Sequence, residues 1–294
     1  MKYLITGCSG QVGYDCFREI VSRGNNDEVL APEHEVLDIT NRESTLKYIK
    51  DTCPDVIIHC AAYTNVDAAE NDCHTAYDIN VNGTQNIKDG ASLVGAKLIY
   101  VSTDYVFDGT KDGIYEMCDE AKPINVYGQT KLLGEEIVRE YSKYFIVRTS
   151  WVFGVSGRGN FVKTMLRLAE THDKLRVVDD QIGSPTYSKD LARLLIDMST
   201  SEKYGIYPGN NDGYTSWCDF AREIFRVNGK NTEVEGISTK DYNATAPRPL
   251  NTRLSKKALD DAGFKHLPHW HDALIRFSEE LKLNDKQKNL RKEK

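Results

Sequence analysis

One feature near the start of the chain limits what it can fold into. Lys2 to Thr6 is a short apolar run of strand formers, and it breaks into Gly7-Cys8-Ser9-Gly10-Gln11-Val12-Gly13. A helical pattern follows, with Cys16, Phe17, Ile20 and Val21 as the expected buried stripe. Glycines let such a turn close tightly and approach a ligand. The free amides and positive end of the helix behind it suit a pyrophosphate. The spacing is G-x-x-G-x-x-G, not the G-x-G-x-x-G of the usual dinucleotide fingerprint. Taken alone, the stretch reads equally as a glycine-rich turn.

Its surroundings favour a nucleotide. Glu28 to Ala31 reads as a second strand, and Glu33 stands about 20 residues after Gly13, where an acidic side chain can hold the adenosine ribose hydroxyls. A carboxylate there favours NADH by repelling a 2'-phosphate, and His34 beside it tempers that, so NADH and NADPH both stay open. The alternative is a solvated glutamate at a strand end. Thr40 or Asn41 is the expected N-cap of a helix to about Thr52. Asp55 to Cys60 reads as a buried strand. Ala61 and Ala62 leave it, as core or as room for a flat ligand. From Val66 to about Val94 the pattern is helical, with Asn80 facing core or site. Lys97 to Val101 is the next buried strand.

That strand runs into Ser102-Thr103-Asp104-Tyr105-Val106-Phe107-Asp108-Gly109. Hydroxyls at the carboxyl end of a parallel strand sit where ligands bind in such sheets. There they can donate to a carbonyl oxygen or simply stabilise a turn. A polar loop, 108 to 122, and Pro123 lead into a helix carrying Tyr127 and Lys131. Residues four apart on a helix share one face. A free tyrosine titrates near pH ~10. An ammonium one turn away is expected to lower that value and make a better-matched proton donor. A chance pair on a surface helix is the plain alternative. Tyr144 to Thr149 is another strand, and Trp151 just past its end either walls a pocket or plugs the core.

The second half is less regular. Phe161 to Glu170, Ser188 to Met198 (stripe Leu191, Leu194, Leu195) and Trp217 to Val227 read as helices. Leu175 to Val178 and Ile206-Tyr207 read as strands, and two short helices are expected to end the fold. Arg248 and Arg253, around an extended Pro247-Arg248-Pro249 segment, are candidates to neutralise a diphosphate or to form surface ion pairs. The alternation through residue 150 argues for an α/β fold, a doubly wound parallel sheet with helices on both faces. The expected division is a dinucleotide-binding domain over 1–150, with 175–200 packing back on it. A smaller C-terminal substrate lobe, mainly 151–281, follows, and then a frayed charged tail over 282–294.

Composition excludes several classes. A net charge of -6 lacks the basic face of a general nucleic-acid binder. No run reaches the ~18 apolar residues of a membrane span. The seven cysteines are odd in number and form no Cys-x-x-Cys, which reads as reduced thiols in a cytoplasmic protein. No two cysteines or histidines have zinc-ligand spacing, and no metal site is expected.

These motifs, in this order, resemble the extended short-chain dehydrogenase/reductase family over nearly the whole chain. Thr6-Gly7-x-x-Gly10-x-x-Gly13 fits its nucleotide loop and Tyr127-x-x-x-Lys131 its catalytic pair. Leu37-Asp38-Ile39-Thr40, Ala61-Ala62-Tyr63-Thr64, Ser102 to Gly109, Asn125 to Gly128, Arg148 to Phe153 and Gly183-Ser184-Pro185-Thr186 are similar to one branch of it. That branch reduces the C4 ketone of dTDP-4-dehydro-β-L-rhamnose to dTDP-L-rhamnose, a precursor of surface polysaccharide.

The resemblance implies a Rossmann-type fold, with Tyr127 as proton donor. Lys131 would hold the nicotinamide ribose, and Thr103 would bond the reacting oxygen. Gly7, Gly10, Gln11, Val12, Gly13, Asp38, Ile39, Ala61, Ala62 and Tyr63 would contact the cofactor. Thr103, Asp104, Tyr105 and Trp151 would contact the dTDP-sugar. It also implies, for some members, a homodimer bridged by magnesium through acidic residues; Asp15 suits this, but Lys189 stands where a partner acid is wanted. A reductase or epimerase of another nucleotide sugar, and a nucleotide-binding regulatory subunit without turnover, are the alternatives.

Overall fold

The computed structural model describes residues 1–157 and 159–292, with side chains described through residue 284. In chain order come β1 (Lys2–Thr6), α1 (Gln11–Arg23), β2 (Glu28–Leu30), α2 (Arg42–Thr52) and β3 (Val56–His59). Asn41, not Thr40, caps α2 by accepting from the Ser44 amide. The helical region after Val66 is broken into α3 (Val66–Asn71), α4 (Cys73–Tyr77), a π-helical turn over Asp78–Gly83, and α5 (Thr84–Val94). The break has a local cause, since the Asp72 side chain caps α4 and so ends α3. Next are β4 (Lys97–Thr103), a single 3₁₀ turn over Asp104–Val106, α6 (Val126–Arg139) and β5 (Tyr144–Thr149).

The remainder supplies β6 (Val152–Phe153), α7 (Phe161–Leu168), β7 (Lys174–Val178), β8 (Ile182–Gly183), β9 (Thr186–Tyr187), α8 (Ser188–Ser199) and β10 (Gly205–Pro208). It ends with β11 (Asn211–Asp212), β12 (Thr215–Ser216), α9 (Trp217–Val227), β13 (Glu233–Ile237), α10 (Thr239–Tyr242), α11 (Lys257–Ala262), β14 (Leu267–His269) and α12 (Trp270–Lys292). The last helix is not short. Its backbone stays helical through Lys292, where a frayed tail from 282 was expected. Residues 293 and 294 lie outside the described residues.

Six strands form the main sheet in the order β10-β5-β4-β3-β1-β2, every pair parallel. Both faces are apolar, because successive side chains alternate. Tyr3, Ile5, Val56, Ile58, Ile99, Phe145 and Val147 meet Leu191, Leu194 and Leu195 of α8 on one face. Leu4, Ile57, Leu98, Tyr100 and Ile146 meet Ile49, Ile87 and Val138 on the other. A strand buried on both faces must be apolar at every position, which explains the continuous runs in the sequence. The sixth strand comes from the second half of the chain, and α8 packs beside α1 against the same sheet. The expected stripe of α1 is half right: Cys16 and Ile20 are buried, whereas Phe17 and Val21 are exposed. A second core gathers Phe153, Val162, Phe220, Ile224, Phe225 and Phe277 under the smaller lobe.

Candidate active site

The strand order reverses direction between β1 and β3, and a crevice opens beyond the carboxyl ends there. It is a cleft of about 1290 Å³ whose walls include the glycine turn, residues 32–35 and 37–40, Ala61, Ala62, 101–105, Tyr127, Lys131 and Trp151. The glycine turn has the shape a phosphate requires. Gly7 sits at φ +67°. A Cβ on Gly7 would meet the Ala61 amide nitrogen at 2.7 Å, and one on Gly13 would meet the Gly7 carbonyl at 2.5 Å. No side chain caps α1, so its first amides face the cleft unclaimed by side chains. The dinucleotide pyrophosphate implied by the resemblance fits this cradle.

The floor is fixed by a chain of polar contacts. Thr6 Oγ1 lies 2.8 Å from His59 Nδ1 and accepts from the Ala61 amide at 3.1 Å. Burial pushes the imidazole down to about 3, with Lys131 adding to the shift, so His59 is neutral and structural. Asn80 grips Tyr63 by both its amide (2.8 Å) and its carbonyl (3.1 Å), and donates to Thr130 of α6 at 3.0 Å. It therefore holds the strand-end loop without touching the cleft. Among the expected cofactor contacts, Gly7, Gly10, Gln11, Val12, Gly13, Glu33, Asp38, Ile39, Ala61 and Ala62 all line the cleft, while Tyr63 does not.

Helix α6 is capped by Asn125, whose side chain accepts from the Gly128 amide at 2.7 Å. A Cβ on Gly128 would meet the Tyr105 carbonyl at 2.3 Å, so the helix can abut the 3₁₀ turn only with glycine there. Tyr127 and Tyr105 consequently meet edge to face at 5.9 Å. Lys131 donates to the Val101 carbonyl at 2.9 Å and lies 4.0 Å over the Tyr100 ring. Thr103 Oγ1 accepts from the Tyr105 amide at 3.2 Å and donates to Asp104 Oδ1 at 3.1 Å. Phenol, amine and alcohol, from α6 and the end of β4, thus share one wall with the glycine turn.

The electrostatics differ from the simple expectation. Burial pushes the Tyr127 phenol up to about 12; Thr103 pulls it back and Asp104 adds to the rise. Lys131 is not among the groups that move it, although it stands one turn away. The same burial pushes the Lys131 amine down to about 7, opposed by Glu135 one turn further along the face. Glu135 is a residue that sequence reasoning missed. Fully buried, it accepts two bonds from Arg148 (3.0 and 2.8 Å) and one from Ser102 (2.6 Å). It ties α6, β4 and β5 together below the cleft. The i, i+4 continuation from Tyr127 through Lys131 was the available signal.

Another part of the lining is aromatic. Trp151 is stacked on Trp217 at 3.6 Å, with the rings 11° from parallel, and Phe161 packs against Trp217 at 4.5 Å. Trp151 has φ +47°, a strained conformation for so large a residue. Gly183 leaves room for its ring, since a Cβ there would meet the indole at 2.9 Å. Trp217 and the glycines at 157 and 159 line the cleft and carried no signal of their own. Neither arginine named from the sequence lines it: Arg248 is paired with Asp67 (2.7 Å), and Arg253 is bonded to Asn251 (2.8 Å).

Magnesium does not fit the residues around Asp15. Its carboxylate accepts from Ser188 at 2.5 Å and pairs with Arg18 at 3.3 Å. Glu280 is taken by Arg18 (2.5 Å), Lys189 (3.5 Å) and the Tyr187 hydroxyl. The charge a cation would neutralise is already met within the chain. Among the described residues no group of three or more His, Cys, Asp or Glu could hold a metal ion.

A parallel sheet with a phosphate cradle at its switch point, and a Tyr-Lys pair lining the same cleft as a threonine hydroxyl, define a nicotinamide-dependent reductase of the short-chain dehydrogenase/reductase class. The family model described as the RmlD substrate binding domain matches residues 1–283. The dTDP-4-dehydrorhamnose reductase of Aggregatibacter actinomycetemcomitans is 43% identical over 93% of this chain and 97% of its own. A dTDP-4-dehydrorhamnose reductase from Clostridium acetobutylicum superposes with a TM-score of 0.93 at 39% identity, covering 96% of this chain and all of that one (100%). The Bacillus anthracis enzyme of that name, solved in complex with NADP, gives 0.92 at 40% identity, covering 95% and 99%. The chain belongs to the dTDP-4-dehydrorhamnose reductase family. Among the described residues, no helix is long and apolar enough to cross a membrane.

Proposed function

We propose that this chain reduces the C4 ketone of dTDP-4-dehydro-β-L-rhamnose to dTDP-L-rhamnose with NADPH or NADH, and that Tyr127 gives the proton. The single observation behind the residue roles is the convergence of Tyr127, Lys131 and Thr103 on the cleft that the glycine turn also lines. Bound NAD(P)H supplies a hydride to the sugar C4. The electron pair of the carbonyl moves onto its oxygen, and the Tyr127 O–H delivers a proton there. Thr103 donates a hydrogen bond to the same oxygen and holds it in place. Lys131, one turn from Tyr127 and held by the Val101 carbonyl, would hold the nicotinamide ribose of the bound cofactor. Gly7 to Gly13 and the start of α1 hold the pyrophosphate. Trp151, with Asp104 and Tyr105 of the same cleft, would contact the sugar nucleotide.

A cytoplasmic location belongs to the same reading and is supported by the seven free cysteines among the described residues. The magnesium-bridged dimer is not part of this reading, because Arg18 and Lys189 occupy the acidic groups. Loss of reduced-nicotinamide absorbance, followed with dTDP-4-dehydrorhamnose and a panel of other keto-sugar nucleotides, tests the assignment. Turnover confined to dTDP-4-dehydrorhamnose supports it. Faster turnover of a different nucleotide sugar would replace the substrate and leave the chemistry standing.

A further inference from the structure

Thr103 has one hydroxyl proton, and its neighbours decide where that proton points. The Tyr105 amide donates to Thr103 Oγ1, which in turn donates to Asp104 Oδ1. An ionised carboxylate accepts hydrogen bonds and cannot give one. While Asp104 is charged, the Thr103 proton is therefore committed to it and is not free for a sugar ketone. A neutral Asp104 reverses the bond. Its O–H donates to Thr103 Oγ1, and the threonine proton is released toward the cleft.

We propose that Asp104 is a positioning residue, whose protonation sets the direction of the Thr103 hydroxyl, and that the site reduces its substrate with Asp104 as the neutral acid. This rests on the reductase reading above. The surroundings of Asp104 favour that form. Its side chain is 2% exposed, and Oδ2 is buried without a hydrogen-bond partner among the described residues. An orphaned oxygen is costly on a carboxylate and much less so on an acid. Burial pushes the carboxyl up to about 7. The Thr252 and Thr103 hydroxyls oppose the rise, as do the backbone amides of Asp104 and Tyr105.

The groups facing it are Thr103 and Tyr105 on its own turn, Tyr127 from α6, and Thr252 from the segment that crosses below β8. Among the described residues, the largest influences on it are burial, two hydroxyls and two backbone amides, none of them a cation. Arg248 acts on Tyr105 instead and is paired with Asp67. A charged Asp104 also raises the Tyr127 phenol. Its neutral form removes a repulsion from the phenolate that proton transfer leaves behind.

The sign follows from the direction of the shift. A carboxyl raised to about 7 is neutral below that pH and charged above it, so wild-type reduction slows as pH rises through neutrality. Lys131 titrates in the same range, and a pH profile of one protein cannot separate the two. The readout is therefore the ratio of kcat for Asp104→Asn to that of wild type, from which Lys131 cancels. An asparagine does not titrate and can still donate to Thr103. The ratio is expected to climb about 25-fold between pH ~6.5 and ~8.5. In a Thr103→Val background the same ratio stays flat. A pH-independent ratio, or an equal climb without the Thr103 hydroxyl, overturns the proposal. Difference infrared spectra give a second measure that needs no turnover. A protonated-carboxyl band present below pH ~7 and missing in Asp104→Asn supports it; its absence from wild type overturns it. Failure of wild type to reduce any keto-sugar nucleotide, with that band intact, would instead strike the reductase reading on which the proposal stands.

Discussion

The two long walls of the cleft are built on different principles. The wall from α6 and the end of β4 is polar and tied to the sheet: Lys131 bonds the Val101 carbonyl and lies over the Tyr100 ring, and Glu135, one turn on, is paired with the buried Arg148. The wall from the smaller lobe is aromatic. It consists of Trp151 stacked on Trp217, backed by Phe161. The first wall handles charge that appears during the reaction, and such groups must be held in advance at fixed distances. The second wall handles shape and stacking, which depend on area and forgive small displacements. Chemistry and selection are thereby separated in space, and substitutions on the two walls should alter different kinetic constants.

The largest effect is expected at Tyr127. Tyr127→Phe removes the proposed proton donor and leaves the ring packing against Tyr105, so kcat should drop by about 10²–10⁴. Binding of the nicotinamide cofactor, read by fluorescence titration, should be nearly unchanged. Wild-type turnover in this variant would move the chemistry off the polar wall. Glu135 tests the tying of that wall. Arg148 is 1% exposed, and Glu135→Gln leaves its charge without a matched partner. Breaking such a pair costs about 3–5 kcal/mol, measurable by urea unfolding. Replacing both partners, Glu135→Leu with Arg148→Met, should recover most of the stability but not the activity, since Lys131 loses its carboxylate neighbour.

The polar wall was largely legible in the sequence, whereas of the aromatic wall only Trp151 was and its partner Trp217 was not, for a physical reason. Tyr127, Lys131 and Thr103 sit at positions fixed by local rules, helix spacing and strand ends. Their convergence follows once the sheet is parallel. Trp151 and Trp217 come from β-turn and helix-start positions far apart in the chain, and only tertiary packing stacks them. The same limit explains β10. Its four residues complete the main sheet from the second half of the chain, and no local pattern announces which sheet a short strand joins. Phe17 and Val21 were misplaced because the face of α1 that meets α8 and the sheet is narrow and holds Gly13, Cys16 and Ile20. The Tyr127 pKa was expected to fall and instead rises, because spacing reveals that Lys131 is near but not that burial disfavours the charge on both groups.

Trp217 sharpens the comparison from the other side. Trp217→Ala removes the stacking partner of Trp151 and exposes its strained backbone to relaxation. Offset aromatic contacts are worth about 0.5–1.5 kcal/mol beyond area, so KM for the sugar nucleotide should rise roughly tenfold once lost area is added. Because no polar atom of the reacting wall moves, kcat should hold within about twofold. A fall in kcat matching that of Tyr127→Phe would show that the two walls are not independent.

The smallest effect belongs to a third stretch, residues 32–40, which differs from both walls in being open to water. Glu33, His34 and Glu35 are exposed. Asp38 is held by the Thr40 amide and hydroxyl (2.9 and 2.7 Å). The nearest arginine along the chain, Arg42, is turned away to Asp89 at 2.5 Å. Among the described residues lining the cleft, the one lysine or arginine is Lys131, at the far end. A 2'-phosphate at this edge would meet carboxylates and a single imidazole. Exposed charges interact weakly, about 0.2–1 kcal/mol, and salt screens them. Glu33→Gln should therefore strengthen NADPH binding relative to NADH by about two- to fivefold at low ionic strength, and less at high salt. Quenching of tryptophan fluorescence by each nucleotide reads both affinities without any turnover. An equal gain for NADH and NADPH would mean that Glu33 does not face the adenosine ribose. A shift that survives high salt would mean that this edge is as shielded from water as the wall that carries Tyr127.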